Sequence, residues 1–455
     1  MQYFMQRIGL ACVLLTGILS HANAQTARST GWRGDGSGRF EKTQPPTKWS
    51  KKSENILWKT EVGRGYSSPV FVPGKNGGGR LFLLAEPSSL VCVDAADGNI
   101  LWQETTGYSA AFGEAEAKRI TETQAKLETE RRDVRKKYDQ LRKSDPDSPQ
   151  LEVLKKQQKE ADNRRREFER KFPSEKRGGA RNAAATVTCD GKRIFALFGT
   201  GVVAAFDLNG KRRWAKHVGV PQQGFGHSAS PVLADGKLIV HVEQLIALAP
   251  VTGKQHWQAD VRAKFGTPIV VQISGENVII TPSGALVTAK DGRVLAEKQF
   301  QLSENSPIVH DSVLYAHESG KVKAFRLPKS IDDAAELEQL WETDGARDQR
   351  MASALYHDGL LYAGGRKGII DVIDAATGEM VYRKRMESGE LFSSPTLAGG
   401  LIFFGGKNGK TLVLRPGREF NEVAINESER YSSSPLFVGR RMYLHTDQSL
   451  YCIGE

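Results

Sequence analysis

No apolar run in these 455 residues is long enough to cross a bilayer as a helix, which takes about 20 consecutive apolar residues. The run at residues 8–19 is too short for that. It follows Arg7 and precedes a small-residue site at Ala22-Asn23-Ala24, the layout of an export signal cut after Ala24. Cysteine is scarce as well: four in the whole chain, none adjacent to another and none in a Cys-x-x-Cys spacing. With no close histidine pair either, the spacing points to no metal site. Cys12 stands too early for a lipoprotein box and lacks its preceding pattern, so no lipid anchor is expected. Acidic residues are outnumbered too, 53 against 64 basic ones, for a formal charge of +11. That balance favours acidic surfaces such as anionic cell-surface polymers, lipid headgroups or nucleic acid. Export removes nucleic acid from the set, and the basic residues are scattered rather than gathered into a stripe.

What is abundant is a repeated cassette. A Ser/Pro-led apolar strand is followed by a Gly turn, a second strand and Asp-x-x-x-Gly-x-x-x-Trp. The clearest copies run from Asp94 through Gly98 to Trp102 and from Asp374 through Gly378 to Tyr382; looser ones end at Trp214 and Trp257. A period of roughly 40 residues built from short strands predicts a β-propeller with one four-stranded sheet per repeat. The strand leaders give an independent count: Ser67-Ser68-Pro69, Ala183-Ala184-Ala185, Ser228-Ala229-Ser230-Pro231, Gly266-Thr267-Pro268, Asn305-Ser306-Pro307, Met351-Ala352-Ser353, Ser393-Ser394-Pro395 and Ser432-Ser433-Ser434-Pro435. Eight leaders predict eight blades, their small residues letting each inner strand approach the axis. The last repeat stops before its Trp, while an orphan Ile56-Leu57-Trp58 precedes the first leader. The N-terminal strand is therefore expected to complete the last blade, which removes an exposed edge. Gly98, Gly210, Gly253 and Gly378 supply the positive φ of the tight turn. Trp58, Trp102, Trp214, Trp257 and Trp341 are expected to dock neighbouring blades, with burial of each ring worth several kcal/mol.

On these residues the chain resembles the PQQ-like (pyrroloquinoline quinone repeat) propellers, whose hallmark is similar to Ala-x-Asp-x-x-x-Gly-x-x-x-Trp. The resemblance covers about residues 54–103 and 182–455, weakening at Ala296 and at Arg415-Pro416-Gly417. The segment Gly31-Trp32-Arg33-Gly34 resembles a lead-in of secreted, BamB-like members. The fold class expected is all-β, an eight-bladed propeller. In this ring Cys92 and Cys452 fall at equivalent places of two blades, too far apart for a disulfide, and read as small buried residues.

One stretch breaks the pattern. From about Glu114 to Arg177 the composition turns to Glu, Lys, Arg and Gln, which predicts helix. One heptad seam runs through Ile120, Leu127, Val134, Tyr138 and Leu141, and another through Leu151, Leu154, Ala161, Phe168 and Phe172, with Pro146 and Pro149 between them. Folding back about Pro146 sets Leu141 opposite Leu151, Leu127 opposite Arg165 and Ile120 opposite Phe172. The insertion is expected to be an antiparallel coiled-coil hairpin, acting as a contact element or as a solvated spacer. The boundaries that follow are 1–24 signal, 25–53 lead-in, 54–103 closing strand and blade 1, 104–181 insertion, and 182–455 blades 2–8.

Candidate chemistry is sparse. Gly405-Gly406-Lys407-Asn408-Gly409-Lys410-Thr411 nearly spells a phosphate-binding loop, but its spacing is short and a strand follows, so it reads as a hairpin turn. Arg33-Gly34-Asp35 resembles an adhesion tripeptide of the kind that arises by chance. The resemblance implies a second reading, a quinone-dependent dehydrogenase, whose members share an adjacent cysteine pair over the cofactor, a calcium-binding acidic set and an Asp base. None of these stands out here, so no cofactor is expected and PQQ is unsupported. What remains is a ring expected at one channel mouth, just before the leaders: Arg64, Tyr66, Phe225, His227, Phe265, Arg350, Phe392, Arg430 and Tyr431. Aromatic and Arg residues gathered this way suit a binding surface. They equally suit a plug of the shaft. The function expected is a non-catalytic binding or scaffolding protein, exported to the periplasm or beyond, with an envelope protein or anionic polymer as partner; the alternative is an enzyme, either the quinone-dependent dehydrogenase or another that processes a ligand at the channel mouth.

Overall fold

The computed structural model describes residues 31–51, 55–74, 78–175, 182–221, 227–331, 336–387 and 389–454. The expected export signal and Phe225 lie outside them. Eight sheets stand round one axis, seven of four strands and one of five. Blade 1 runs from the inner strand Val70–Pro73 to the outer strand Ile100–Thr105, and blade 8 opens with Leu436–Val438. The outer strand of blade 8 is Ile56–Glu61, antiparallel to Ser449–Ile453 with Trp58 opposite Cys452. The ring is thus closed by the N-terminal strand.

The core is not one cluster but eight, one at each joint between neighbouring blades. Middle strands are consequently buried on both faces, as in Leu81-Phe82-Leu83-Leu84, where every side chain is sealed. That is why these strands read as continuous apolar runs rather than as alternation. Cys92, Cys189 and Cys452 are free and buried within blades, and burial pushes their thiols up to about 12, 11 and 12.

Each outer strand carries a bulge at the same place, one residue before the Trp position, in all eight blades. The bulge twists the strand, and the indole beyond it lies over the turn glycine of the next blade. Trp58 covers Gly98, Trp102 covers Gly210, Trp214 covers Gly253, Trp257 covers Gly292 and Trp341 covers Gly378. Four of the indoles also donate Nε1–H to a carbonyl of that turn, at Leu208, Pro250, Ala289 and Ala375. The rings are only half-buried, because the outer strand turns one side to solvent.

The insertion leaves blade 1 after Thr105. It comprises α1 (Tyr108–Phe112), α2 (Glu114–Ser144) and α3 (Gln150–Lys171), the last two forming a helical hairpin. Arg164 pairs with Glu130 and Arg165 reaches Glu128, one residue from its expected opposite Leu127. The root is part of the propeller: Ile120 is fully buried in the cluster joining blades 1 and 2, against which Phe168 and Phe172 also pack. Farther out, Ala161 is the single buried side chain of α3.

Candidate functional site

Inner strands begin at the leaders, run away from that face and return through the second strand, so each outer strand ends where the next leader begins. All connections between blades, the helical hairpin included, therefore lie on the leader face. At the centre of this face is a cavity of about 570 Å³. Its wall is a belt of eight hydroxyl residues, one from each leader except that of blade 2, where Thr186 directly after the leader supplies it. Thr186 N–H donates to Ser230 Oγ, Ser230 N–H to Thr267 Oγ1, Thr267 N–H to Ser306 Oγ, and Ser306 N–H to Ser353 Oγ, at 2.8–3.0 Å. The belt continues from Ser353 N–H to Ser394 Oγ, from Ser394 N–H to Ser434 Oγ and from Ser434 N–H to Ser68 Oγ, at 2.9–3.1 Å. At the joint of blades 1 and 2 the backbone takes over, with Tyr66 and Ser67 N–H both donating to Ala183 O. The leaders are hydroxylic because each inner strand needs an acceptor from its neighbour, a requirement that smallness alone does not express.

The shaft beneath the belt is filled by the chain's own lead-in. Arg39 and Phe40 form a short strand parallel to the inner strand of blade 7. Arg33 is buried in the shaft and donates to the carbonyls of Ala354 and Pro395, both at 2.8 Å. Its burial lowers its pKa to about 10. Gly38 is required here, since a Cβ would collide with that guanidinium. The Arg-Gly-Asp string is accordingly a structural element, its guanidinium spent on the shaft wall. Trp32, on whose ring Arg33 sits at 5.4 Å, lines the cavity on the leader face and also a second one of about 440 Å³ on the other side. The leader-face cavity is thus a cup with Trp32 as its floor.

Of the ring expected at the mouth, Tyr66, His227, Phe265 and Phe392 line the cup. The others do not. Arg350 turns into the joint of blades 5 and 6, where it pairs with buried Asp348 at 3.2 Å and buried Asp371 at 3.0 Å. Asp371 also holds Arg383. Tyr431 is a core residue whose hydroxyl meets that of Thr411, and burial raises its pKa. Arg64 and Arg430 are exposed, outside the cup lining, and their carbonyls accept from Glu86 and Asp447 N–H. The residues just before the leaders do lie in the mouth loops, but Arg350 and Tyr431 turn into blade joints while Arg64 and Arg430 turn outward. Gln349 and Met351, the neighbours of Arg350, line the rim in its stead, and Glu304 and Arg366 from other loops complete it.

The rim's charges neutralise one another. Arg366 binds Glu390 and Gln349, and Lys407 binds the same Glu390 while lying 4.6 Å over the Phe392 ring. Glu304 is held above the usual carboxylate range by burial. His227 is buried and pushed down to about 3 by desolvation, with His241 beside it adding to the effect. That shift favours the neutral ring, and among the described residues no carboxylate pairs with it to make it an acid or base. The near phosphate-loop at residues 405–411 is a turn, Gly409 N–H donating to Gly406 O before the strand Lys410–Arg415.

A family model described as outer membrane protein assembly factor BamB matches residues 177–330 and 331–415, together just over half of the chain. No curated protein matches the sequence. Among solved structures, BamB from Moraxella catarrhalis is similar at 13% identity and a TM-score of 0.54, covering 88% of this chain and 98% of that one. A computationally designed protein, Ika8, is similar at 9% identity and 0.54, covering 88% and 100%. The quinohemoprotein alcohol dehydrogenase ADHIIG from Pseudomonas putida HK5 is similar at 10% identity and 0.54, covering 91% and 78%. At such identities these likenesses speak for the fold alone.

Proposed function

The chain belongs to the PQQ-like propeller family of the outer membrane protein assembly factor BamB, and from that membership we propose that it is a non-catalytic binding or scaffolding protein of the cell envelope. The observation that carries this reading is that the cup and the helical hairpin share one face, so that one partner can touch both. The expected export signal supports an exported location, and the described residues hold no helix long and apolar enough to cross a membrane. The family's name supports a protein partner; the +11 charge keeps an anionic polymer as the second option.

A quinone-dependent dehydrogenase is the competing reading, favoured by the likeness to ADHIIG and by an indole at the base of the cup. The donor set fits it poorly. A quinone bearing carboxylates would face Glu304, while Arg366 is already bound to Glu390. Among the described residues no three His, Cys, Asp or Glu gather as a metal site, and the three cysteines are buried in blades 1, 2 and 8. The test uses signal-free protein. Capture of an envelope protein that is lost when residues 127–165 are excised or when Phe265→Ala and Phe392→Ala alter the rim supports the proposal. Dye-linked alcohol or sugar oxidation dependent on added quinone and calcium would overturn it.

A further inference from the structure

The cup presents two kinds of unmet hydrogen-bonding capacity. Seven of the eight belt hydroxyls, all but Thr186, spend a lone pair on a neighbour's N–H, which leaves their own proton to donate; Ser434 directs its proton weakly to a carbonyl, Ser394 O at 3.4 Å. The wall is therefore an array of donors. Set among them is one ring nitrogen without a partner among the described residues. His227 is 4% exposed and lines the cup, and its buried Nε2 has no hydrogen-bond partner among the described residues. An unpartnered imidazole nitrogen at the cup wall is one hydrogen-bonding position left open to a ligand hydroxyl, which can both donate and accept.

An apolar ligand would leave these groups unsatisfied, at a cost for each buried one. An anion would meet Glu304, with Arg366 and Lys407 both already bound to Glu390. What satisfies the whole set is a neutral molecule with hydroxyls that both donate and accept and with C–H faces to lay on Trp32, Tyr66, Phe265 and Phe392. The volume of about 570 Å³ lies within the usual range of small-molecule sites. We infer that the cup is a binding site for a neutral carbohydrate, held by the hydroxyl belt and His227 Nε2 and stacked on its aromatic rings. This rests on the proposed reading of the mouth as a binding surface and gives it a ligand class.

Isothermal titration of the signal-free full chain tests it with glucose, N-acetylglucosamine and their β-1,4-linked disaccharides. Galacturonate, inorganic phosphate and tetra-alanine serve as counter-probes. The expected result is binding of at least one neutral saccharide, at least tenfold weaker in His227→Ala and in Phe265→Ala and unchanged in Gln272→Ala on the opposite side. Phe265 is a half-exposed rim residue, so its variant decides the matter even if His227→Ala misfolds. Preference for galacturonate, phosphate or tetra-alanine overturns the ligand class while leaving the mouth a binding site. Silence towards every probe overturns the inference outright, and the partner capture described above then judges the scaffold reading separately.

Discussion

The indole of Trp102 lies so close to Gly210 of the next blade that a Cβ on that glycine would fall 2.8 Å from the ring. Gly210 also has φ +89°, a conformation that other residues enter only under strain. One glycine therefore serves a turn and a docking surface at once. Trp102→Ala is expected to cost about 2 kcal/mol, below the full-burial figure because the ring is half-exposed. Gly210→Ala is expected to cost at least as much, since it strains the backbone and lifts the ring. Denaturant melts of both variants check this; losses below about 0.5 kcal/mol, the range of ordinary surface changes, would contradict it.

Closure and plugging are separable. Deleting residues 25–60 removes the shaft plug together with most of the outer strand of blade 8 and bares the edge of Ser449–Ile453, so aggregation or a much lower melting temperature is expected. Arg33→Ala leaves the strand in place but strips the carbonyls of Ala354 and Pro395 of their donor inside the shaft. Its expected cost is about 2–3 kcal/mol with the protein still monomeric. Light scattering and thermal melts distinguish the two outcomes.

The hairpin should come off distally but not at its root. Replacing residues 127–165 with a short Gly/Ser linker removes the solvated arms and leaves Ile120 and Phe172 in place, so the melting transition should be nearly unchanged. Excising residues 114–177 uncovers Tyr108, whose hydroxyl donates to Pro173 O, and empties the Ile120 position of the blade 1–2 joint. That longer excision should be clearly destabilising. Circular dichroism follows both helix loss and melting.

Buried neutral histidines predict a pH dependence with a definite sign. Burial pushes His227 down to about 3 and His241 down to about 4, against about 6.5 in an unfolded chain. Below about pH 6.5 the unfolded chain takes up protons that the folded chain refuses, so stability is full above that pH and falls as the pH drops toward about 4. Each histidine contributes at most about 1.4 kcal/mol per pH unit. Melting temperatures should be flat above about pH 7 and decline between about 6.5 and 5, and His241→Gln, which cannot titrate, should flatten that decline.

Much of the fold was legible because it repeats. Eight leaders, the turn glycines and the truncated last copy each pointed to the same closed ring, and any one of them could have been misread without loss. The cup was half legible. Tyr66, His227, Phe265 and Phe392 lie where their loops suggested, but Arg350 and Tyr431 point into blade joints, and nothing in a single loop's sequence distinguishes the two directions. The plug went unseen although Trp32 and Arg33 stood in a glycine-rich stretch, because whether a lead-in enters the shaft depends on carbonyls of Ala354 and Pro395, more than 300 residues away. The hydroxyl belt could have been read from the leaders, since all but one carry Ser or Thr within them and the exception, Ala183-Ala184-Ala185, is followed at once by Thr186.

The central claim is that partners meet this protein on the face shared by cup and hairpin. Site-specific photocrosslinking in intact envelopes tests it most directly, with the reactive group placed at Phe392 on the cup, at exposed Val153 on the hairpin, or at Gln272 on the opposite side. Crosslinks to a common partner from the first two positions and none from the third are the expected result. Crosslinks from Gln272 alone, or from no position, would contradict the account.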